Sequence, residues 1–432
     1  MNKKLSRYIV PNILAMAGIS CYVLADTIFI AAAEGTNGIT ALNLALPIYA
    51  LIFAIGSMTG IGSATRYSLQ KALGDKNADE YFSNSIIWTA FIGLLFAGAG
   101  LFFPDKILIL MGADNVILET GLSYTRTFMC FTPFFMLNYT FTAFVRNDSS
   151  PNIAMAATLI SGGFNILFDY IFMFPMKMGM TGAALATGLS PIVSMLVCMI
   201  HYLSGKNTVK FRFKLPSVKK LFSSCSLGVV AFVGEIASGI TTMVFNFILL
   251  NLAGNVAVAA YGVIANTAIV GTALLNGVAQ GLQPLASEMH GRGEIDAEKK
   301  IYTQSLKVGA AISLGLVILA LLFADGLVSL FNSEKSVQLA HYAEVGTRLY
   351  YLGFLVAPFN IIRAGFYSAK GRAALSSVIA VSRGVAAITL FAFLLSELMG
   401  ITGVWLAFPA AEIFTLTVSY FMIKKDKNKI PA

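Results

Sequence analysis

Charge is scarce in this 432-residue chain. Asp, Glu, Lys and Arg make up 12% of it, against about a quarter in ordinary soluble proteins. With 57% hydrophobic residues and a mean hydropathy of +0.77, the shortage excludes a fold solvated by water on all sides. Cysteine is scarce as well. Cys21, Cys130, Cys198 and Cys225 stand singly in or beside apolar runs, at no metal-ligand or redox spacing, so they read as packing residues. The three histidines, His201, His290 and His341, fall at the ends of apolar runs or in loops. There is no HExxH, no Cys–His arrangement and no phosphate loop, since SGKNT around Lys206 lacks the spaced glycines. An enzyme is therefore not expected, and neither is ATP as an energy source.

What the chain has is apolar length. Stretches of roughly 20 residues, enough to cross a bilayer core of about 30 Å, recur near 9–33, 39–65, 83–103, 117–144, 152–174, 180–202, 221–252, 256–285, 303–323, 341–369, 373–395 and 401–423. This predicts an all-α polytopic membrane protein with twelve transmembrane helices. The start, MNKKLSRYIVPNILAMAG, has the basic opening and apolar run of a signal peptide, with AAA near position 32. The run continues past Asp26 to about Ala33 and further spans follow, so it reads as an uncleaved first span.

The net charge of +9 is distributed by topology. Of 30 Lys and Arg, 22 lie before the first span, after each even-numbered span or in the tail, whereas only Lys106, Lys177 and Lys335 occupy the opposite loops. That asymmetry predicts both termini in the cytoplasm and a multi-pass protein of the cell (inner or cytoplasmic) membrane. The basic charge is then no sign of nucleic acid, which is not an expected partner.

The chain repeats itself. GMTGAALA at 179–186 and GITGVWLA at 400–407 share the pattern G-x-T-G-x-x-L-A at an offset of 221. The stretch from Gly60 to Asp79 shares Gly, Gly and Asp positions with Gly277 to Asp296, at an offset of 217. The expected organisation is an N-terminal six-helix lobe over 1–204, a basic cytoplasmic linker over 205–220 (GKNTVKFRFKLPSVKK) and a C-terminal six-helix lobe over 221–432. An even number of spans per repeat relates the lobes by an axis along the membrane normal, and two pseudo-symmetric lobes around a central cavity is the architecture of a rocking transporter. A monomer in the lipid bilayer is expected.

The polar residues at membrane depth carry the chemistry. FNILFDY sets Asn165 and Asp169 four residues apart, on one helix face. Tyr22 and Asp26 have the same spacing in the first span, and Thr187 follows the repeated motif in the sixth. A carboxylate at the bilayer centre costs about 2.5–3.5 kcal/mol by insertion scales, so each should face the protein and find partners. Two carboxylates sharing a dry site require a proton or a small cation to compensate them. Asp26, Asn165, Asp169 and Thr187 offer hard oxygen donors, which suits H+ or Na+ rather than a soft metal. No cofactor is expected beyond that coupling ion. At the repeat offset Asn165 falls on Ala386 and Asp169 on Leu390, so packing alone does not demand the charge.

The second half has polar stripes of its own. Glu235, Gly239, Thr242 and Asn246 step down one side of span 7. Thr272, Asn276, Gln280 and Gln283 do so in span 8, and Asn360, Arg363 and Tyr367 in span 10. Such stripes suit the lining of a substrate cavity and, equally, hydrogen bonds between helices. Glu412 and Arg383, also within spans, are candidates to pair with each other.

These features together resemble the multidrug and toxic compound extrusion (MATE) transporters over essentially the whole chain. The specific pieces are Pro11 with YVLADTIFI, VRNDSSP at 145–151, FNILFDY, TGAALAT and GVAQGLQP at 277–284. The resemblance implies an ion-coupling set of Asp26, Asn165, Asp169 and Thr187 with Tyr124 nearby, a gating bend at Pro11, and antiport of amphiphilic, often cationic compounds by alternating access. Two departures stand out: Ser149 replaces a more usual Gly, and, although span 7 has Glu235, span 10 carries Arg363 and no Asp, whereas another branch pairs a span 7 acid with a span 10 Asp. An exporter or flippase of lipid-linked or polysaccharide precursors is the alternative from the same wider superfamily. Its anionic cargo would want clustered Arg and Lys, whereas this chain sets Arg363 and Arg383 against Asp26, Asp169, Glu235 and Glu412.

Overall fold

The computed structural model describes residues 3–111, 115–329 and 336–427; Lys335 and Lys429 lie outside them. Ten helices are long and apolar enough to span a membrane: Lys3–Glu34, Ala45–Ala72, Glu80–Phe102, Pro151–Met173, Gly179–Tyr202, Val218–Gly254, Val256–Gly291, Ile295–Leu322, Ala373–Met399 and Ile401–Lys424. Two bent pairs complete the set, Gly121–Cys130 with Thr132–Asn147 at 45° and Val337–Leu355 with Ala357–Ala369 at 42°. Counting each pair as one gives the twelve spans, numbered 1–12 below. Among the described residues there is no strand.

The bends have a stated cause. The second limbs of spans 4 and 10 open with Pro133 and Pro358 in their first turn. There a missing N–H costs nothing, while the helix before it must end. Spans 7 and 8 part at Ala253 and Gly254, the latter with φ +70°.

The internal duplication is visible in detail. Short helices Pro104–Leu110 and Ala324–Ser329 follow spans 3 and 9, beginning 220 residues apart. The repeated G-x-T-G pattern opens span 6 at Gly179 and leads from Gly400 into span 12 at Ile401. Its first glycines, Gly179 (φ +53°) and Gly400 (φ +58°), adopt the left-handed backbone that other residues resist. Its second glycine in the later copy, Gly403, leaves no room: an added Cβ would sit 1.8 Å from the Leu395 carbonyl oxygen.

The chain divides into two compact units, Val10–Phe232 and Met1–Ile9 with Val233–Ala432, called the N-terminal and C-terminal units. The N-terminal unit centres on Ile30, Tyr49, Ile52, Tyr124, Phe128 and Met136. The C-terminal unit centres on Phe245, Tyr261, Phe354, Trp405 and Phe408. Both cores set rings among many alanines, as suits packing where lipid removes most of the hydrophobic drive and small residues let helices approach closely.

Candidate functional site

Span 5 presents a buried stripe of Ser161, Gly162, Asn165, Asp169 and Met173, stepping by about one turn. Asp169 is 0% and Asn165 1% exposed. Span 6 lies alongside, and Asn165 Nδ2 donates to Thr187 Oγ1 at 3.3 Å. Span 1 comes close because position 162 has no side chain: a Cβ there would lie 3.0 Å from the Tyr22 ring. One turn beyond Tyr22, Asp26 brings its carboxyl within hydrogen-bonding reach of Asp169. The four residues picked out for coupling therefore stand together.

The electrostatics of this group are unfinished. A hydrogen bond between two carboxyls needs a proton on one of them, because two carboxylates only accept. Asp26 Oδ1, Asn165 Oδ1 and both Asp169 oxygens are buried without a donor. Four acceptor oxygens with no Lys or Arg paired to them among the described residues is an arrangement that favours uptake of a proton or a hard cation. The residues fit that role by donor chemistry.

Tyr124, 2% exposed, lies within electrostatic range of both carboxyls. Its ring stacks on Phe128 with centroids 6.2 Å apart and Phe128 stacks on Phe135 at 4.6 Å, an aromatic wall beside the acids. Tyr49 of span 2 joins this wall, 3.7 Å from Phe128, and lies within electrostatic range of Asp26. Nothing in the sequence marked Tyr49, since only the fold brings span 2 here.

Pro11 sits buried inside span 1, and its neighbour Asn12 accepts a hydrogen bond from Arg146 Nη1 at 2.9 Å. VRNDSSP thereby reaches the proline-bearing end of span 1. The same motif places Ser149 at φ +65°, which explains why glycine suits this position.

The adjoining Asp148 anchors a buried cluster. His201 Nε2 lies 2.9 Å and Lys71 Nζ 3.3 Å from its oxygens. The Thr208 backbone N–H donates to it at 2.8 Å, and the Thr208 hydroxyl donates as well. Burial opposes its charge, but Thr208, His201 and Lys71 prevail and hold the carboxyl below the usual carboxylate range. Its contribution to stability is therefore full above about pH 4 and fades as pH falls further. Asp148→Asn should loosen the segment held at Thr208. A hydrogen bond to a charged group is worth about 1.5–3 kcal/mol, so limited trypsin cleavage at 206–214 should rise roughly tenfold or more.

In the C-terminal unit a π-helical turn, Ser382–Ala386, interrupts span 11. It presents Arg383 Nε 2.6 Å from Glu412 Oε1, and Ser382 bonds Thr415 at 3.1 Å. Asn360 Nδ2 donates to Glu412 twice, to Oε2 at 2.7 Å and to the backbone oxygen at 2.8 Å. Asn360, chosen for a cavity wall, is thus 0% exposed and bound to an acid. Arg363 donates to the hydroxyls of Tyr302, at 3.4 Å, and Ser419. Gln283 is buried beside Gly365, while Glu235, Asn246, Asn276 and Gln280 are half-buried along spans 7 and 8.

Comparison with known proteins agrees with this architecture. The MatE family model matches residues 11–171 and again 231–393, the second match opening 220 residues after the first. The multidrug export protein MepA of Staphylococcus haemolyticus (strain JCSC1435) is 25% identical over 433 residues, 99% of this chain and 94% of that protein. MepA of Staphylococcus aureus (strain MRSA252) is 25% identical over 95% of this chain and 90% of its own length. Among solved structures, an outward-facing multidrug resistance MATE family transporter of the MOP superfamily superposes with a TM-score of 0.90 at 21% identity, covering 98% and 95% of the two chains. A MOP superfamily transporter from Pyrococcus furiosus, described as having a binding pocket of reversed polarity, gives 0.89 at 21% with the same coverage.

Proposed function

The chain belongs to the MatE family, and we propose that it is an ion-coupled antiporter, exporting amphiphilic, often cationic organic compounds in exchange for inward-moving H+ or Na+. The observation that carries this reading is the meeting of Asp26 and Asp169 with buried acceptor oxygens left over. Such a group alternates between a charged and a compensated state at little cost in packing, which is what coupling requires. Compensation relieves the repulsion between spans 1 and 5, and Pro11 gives span 1 a place to bend. The aromatic wall of Tyr49, Tyr124 and Phe128 supplies polarisable surface beside the acids, and aromatic faces attract organic cations. Asn165 and Thr187 hold the site from spans 5 and 6.

Export of lipid-linked or polysaccharide precursors is less well supported. Arg383 is already bound to Glu412, which leaves Arg363 as the arginine of the spans' polar faces able to meet an anionic headgroup. The 22-to-3 split of basic residues favours both termini in the cytoplasm.

The test is efflux of a fluorescent organic cation from proteoliposomes under Na+ and pH gradients imposed separately. Efflux should follow at least one gradient without ATP. Efflux indifferent to both would overturn the proposal.

A further inference from the structure

The segment 205–217, between spans 6 and 7, is strapped to the N-terminal unit by its polar groups and by Val209, buried against Tyr67, Phe82 and Phe144, with Phe211, Phe213 and Leu215 left outside. The backbone N–H groups of Lys210, Arg212 and Ser217 donate to Asp79 Oδ1 (3.3 Å), Ser83 Oγ (2.7 Å) and Asn84 Oδ1 (2.6 Å) at the start of span 3. Arg212 Nη2 lies 3.5 Å from Asp79, and Lys214 and Lys220 both bind Glu80. Alternating with those basic residues, Phe211, Phe213 and Leu215 are 51%, 91% and 95% exposed. Large apolar side chains thus stand out beside charges that are themselves partly exposed, Arg212 at 43% and Lys214 at 62%, an inversion of the usual order of a water-washed loop, which turns its rings and leucines inward.

The position of the strap explains the inversion. Asn84 lies four residues into span 3, a rise of about 6 Å from Glu80, so the strap runs level with the headgroup layer that borders the hydrocarbon core. Leu203 before it and Val218 and Phe222 after it are exposed too, so the apolar band continues onto the outer faces of spans 6 and 7. Lys206, Lys210 and Lys219 are exposed in the same stretch, a basic and aromatic mixture suited to a phospholipid interface.

We propose that Phe211, Phe213 and Leu215 insert into the phospholipid headgroup layer, making the connection between the two halves of the chain a membrane-surface anchor. The proposal needs neither a substrate nor an ion gradient, so it stands or falls apart from the transport reading. The test uses full-length protein in which the four native cysteines are replaced, with an environment-sensitive fluorophore on Leu215→Cys. The protein is reconstituted one copy per nanodisc of phosphatidylethanolamine and phosphatidylglycerol. A probe on Lys76→Cys, in the exposed loop before span 3, serves as the reference. At 215 the emission should be blue-shifted, quenched by lipid carrying a shallow spin label and insensitive to aqueous iodide, with the reverse at 76. Iodide quenching at 215 equal to that at 76 would overturn the anchor. Protection from both quenchers would overturn it as well, because a protein surface would then be the cover.

Discussion

Asp169→Asn should reduce gradient-driven efflux in proteoliposomes to the level of protein-free vesicles. The substitution keeps the shape of the side chain and removes only its ability to hold charge. Asp169 is fully buried, touches Asp26 and has both oxygens without a donor. The amide can donate to Asp26, which supplies permanently what a proton or cation supplies reversibly. The site would then be locked in its compensated state, with a fold at least as stable as the original. Monodisperse elution and unchanged or raised thermal stability should therefore accompany lost transport. Asp26→Asn should act in the same way, and the double variant should be no worse than either single one, because the two residues work as one unit. Full gradient-driven efflux by Asp169→Asn would remove the acid pair from the mechanism.

The second large effect belongs to stability. Arg383→Ala should lower the thermal stability of the detergent-solubilised protein by an amount equivalent to about 3–5 kcal/mol, the cost of stranding a buried charge. Glu412 is 1% exposed, and its bond from Asn360 cannot neutralise it. Replacing both charges together, as Arg383→Met with Glu412→Met, should recover most of the loss, since a buried ion pair against apolar residues of similar size is close to neutral. Scanning fluorimetry of the three variants would decide. A double variant as unstable as Arg383→Ala would show that the π-helical turn needs the arginine for more than its charge.

The two buried acid sites differ in a way that bears on coupling. Glu412 has a cation tethered opposite it, on the turn Ser382–Ala386, and is compensated without help from solution. Among the described residues no Lys or Arg is paired with Asp26 or Asp169, so on the proposed reading theirs is the site that an external ion completes. The sequence had left Glu412 and Arg383 as candidates to pair and Asn360 as a cavity residue. The structure joins all three, because the bulge in span 11 and the second limb of span 10 meet span 12 at one level, an alignment that residue spacing does not contain.

Much was legible because the bilayer simplifies the problem. Span number, the duplication and the acid-bearing faces of spans 1 and 5 follow from apolar length, repeated glycine patterns and the 3.6-residue period, all local properties of the chain. Asp26, Asn165, Asp169 and Thr187 are grouped from the sequence by donor chemistry and by the resemblance, since no spacing relates span 1 to spans 5 and 6. Tyr49, the Arg146–Asn12 bond, the Asp148 cluster and the strap at 205–217 escaped notice for the same reason. Each depends on residues far apart in the chain being brought side by side, or on an extended segment choosing which of its faces to bury. By itself the sequence determined that this chain lives in a membrane as two related halves with acids at depth, because solvation of backbone and charge is decided residue by residue. Which acid keeps unpaired buried oxygens and which is closed by an arginine was decided by tertiary structure alone, through the approach of helices that a missing side chain at Gly162 and a π-turn at Ser382–Ala386 allow.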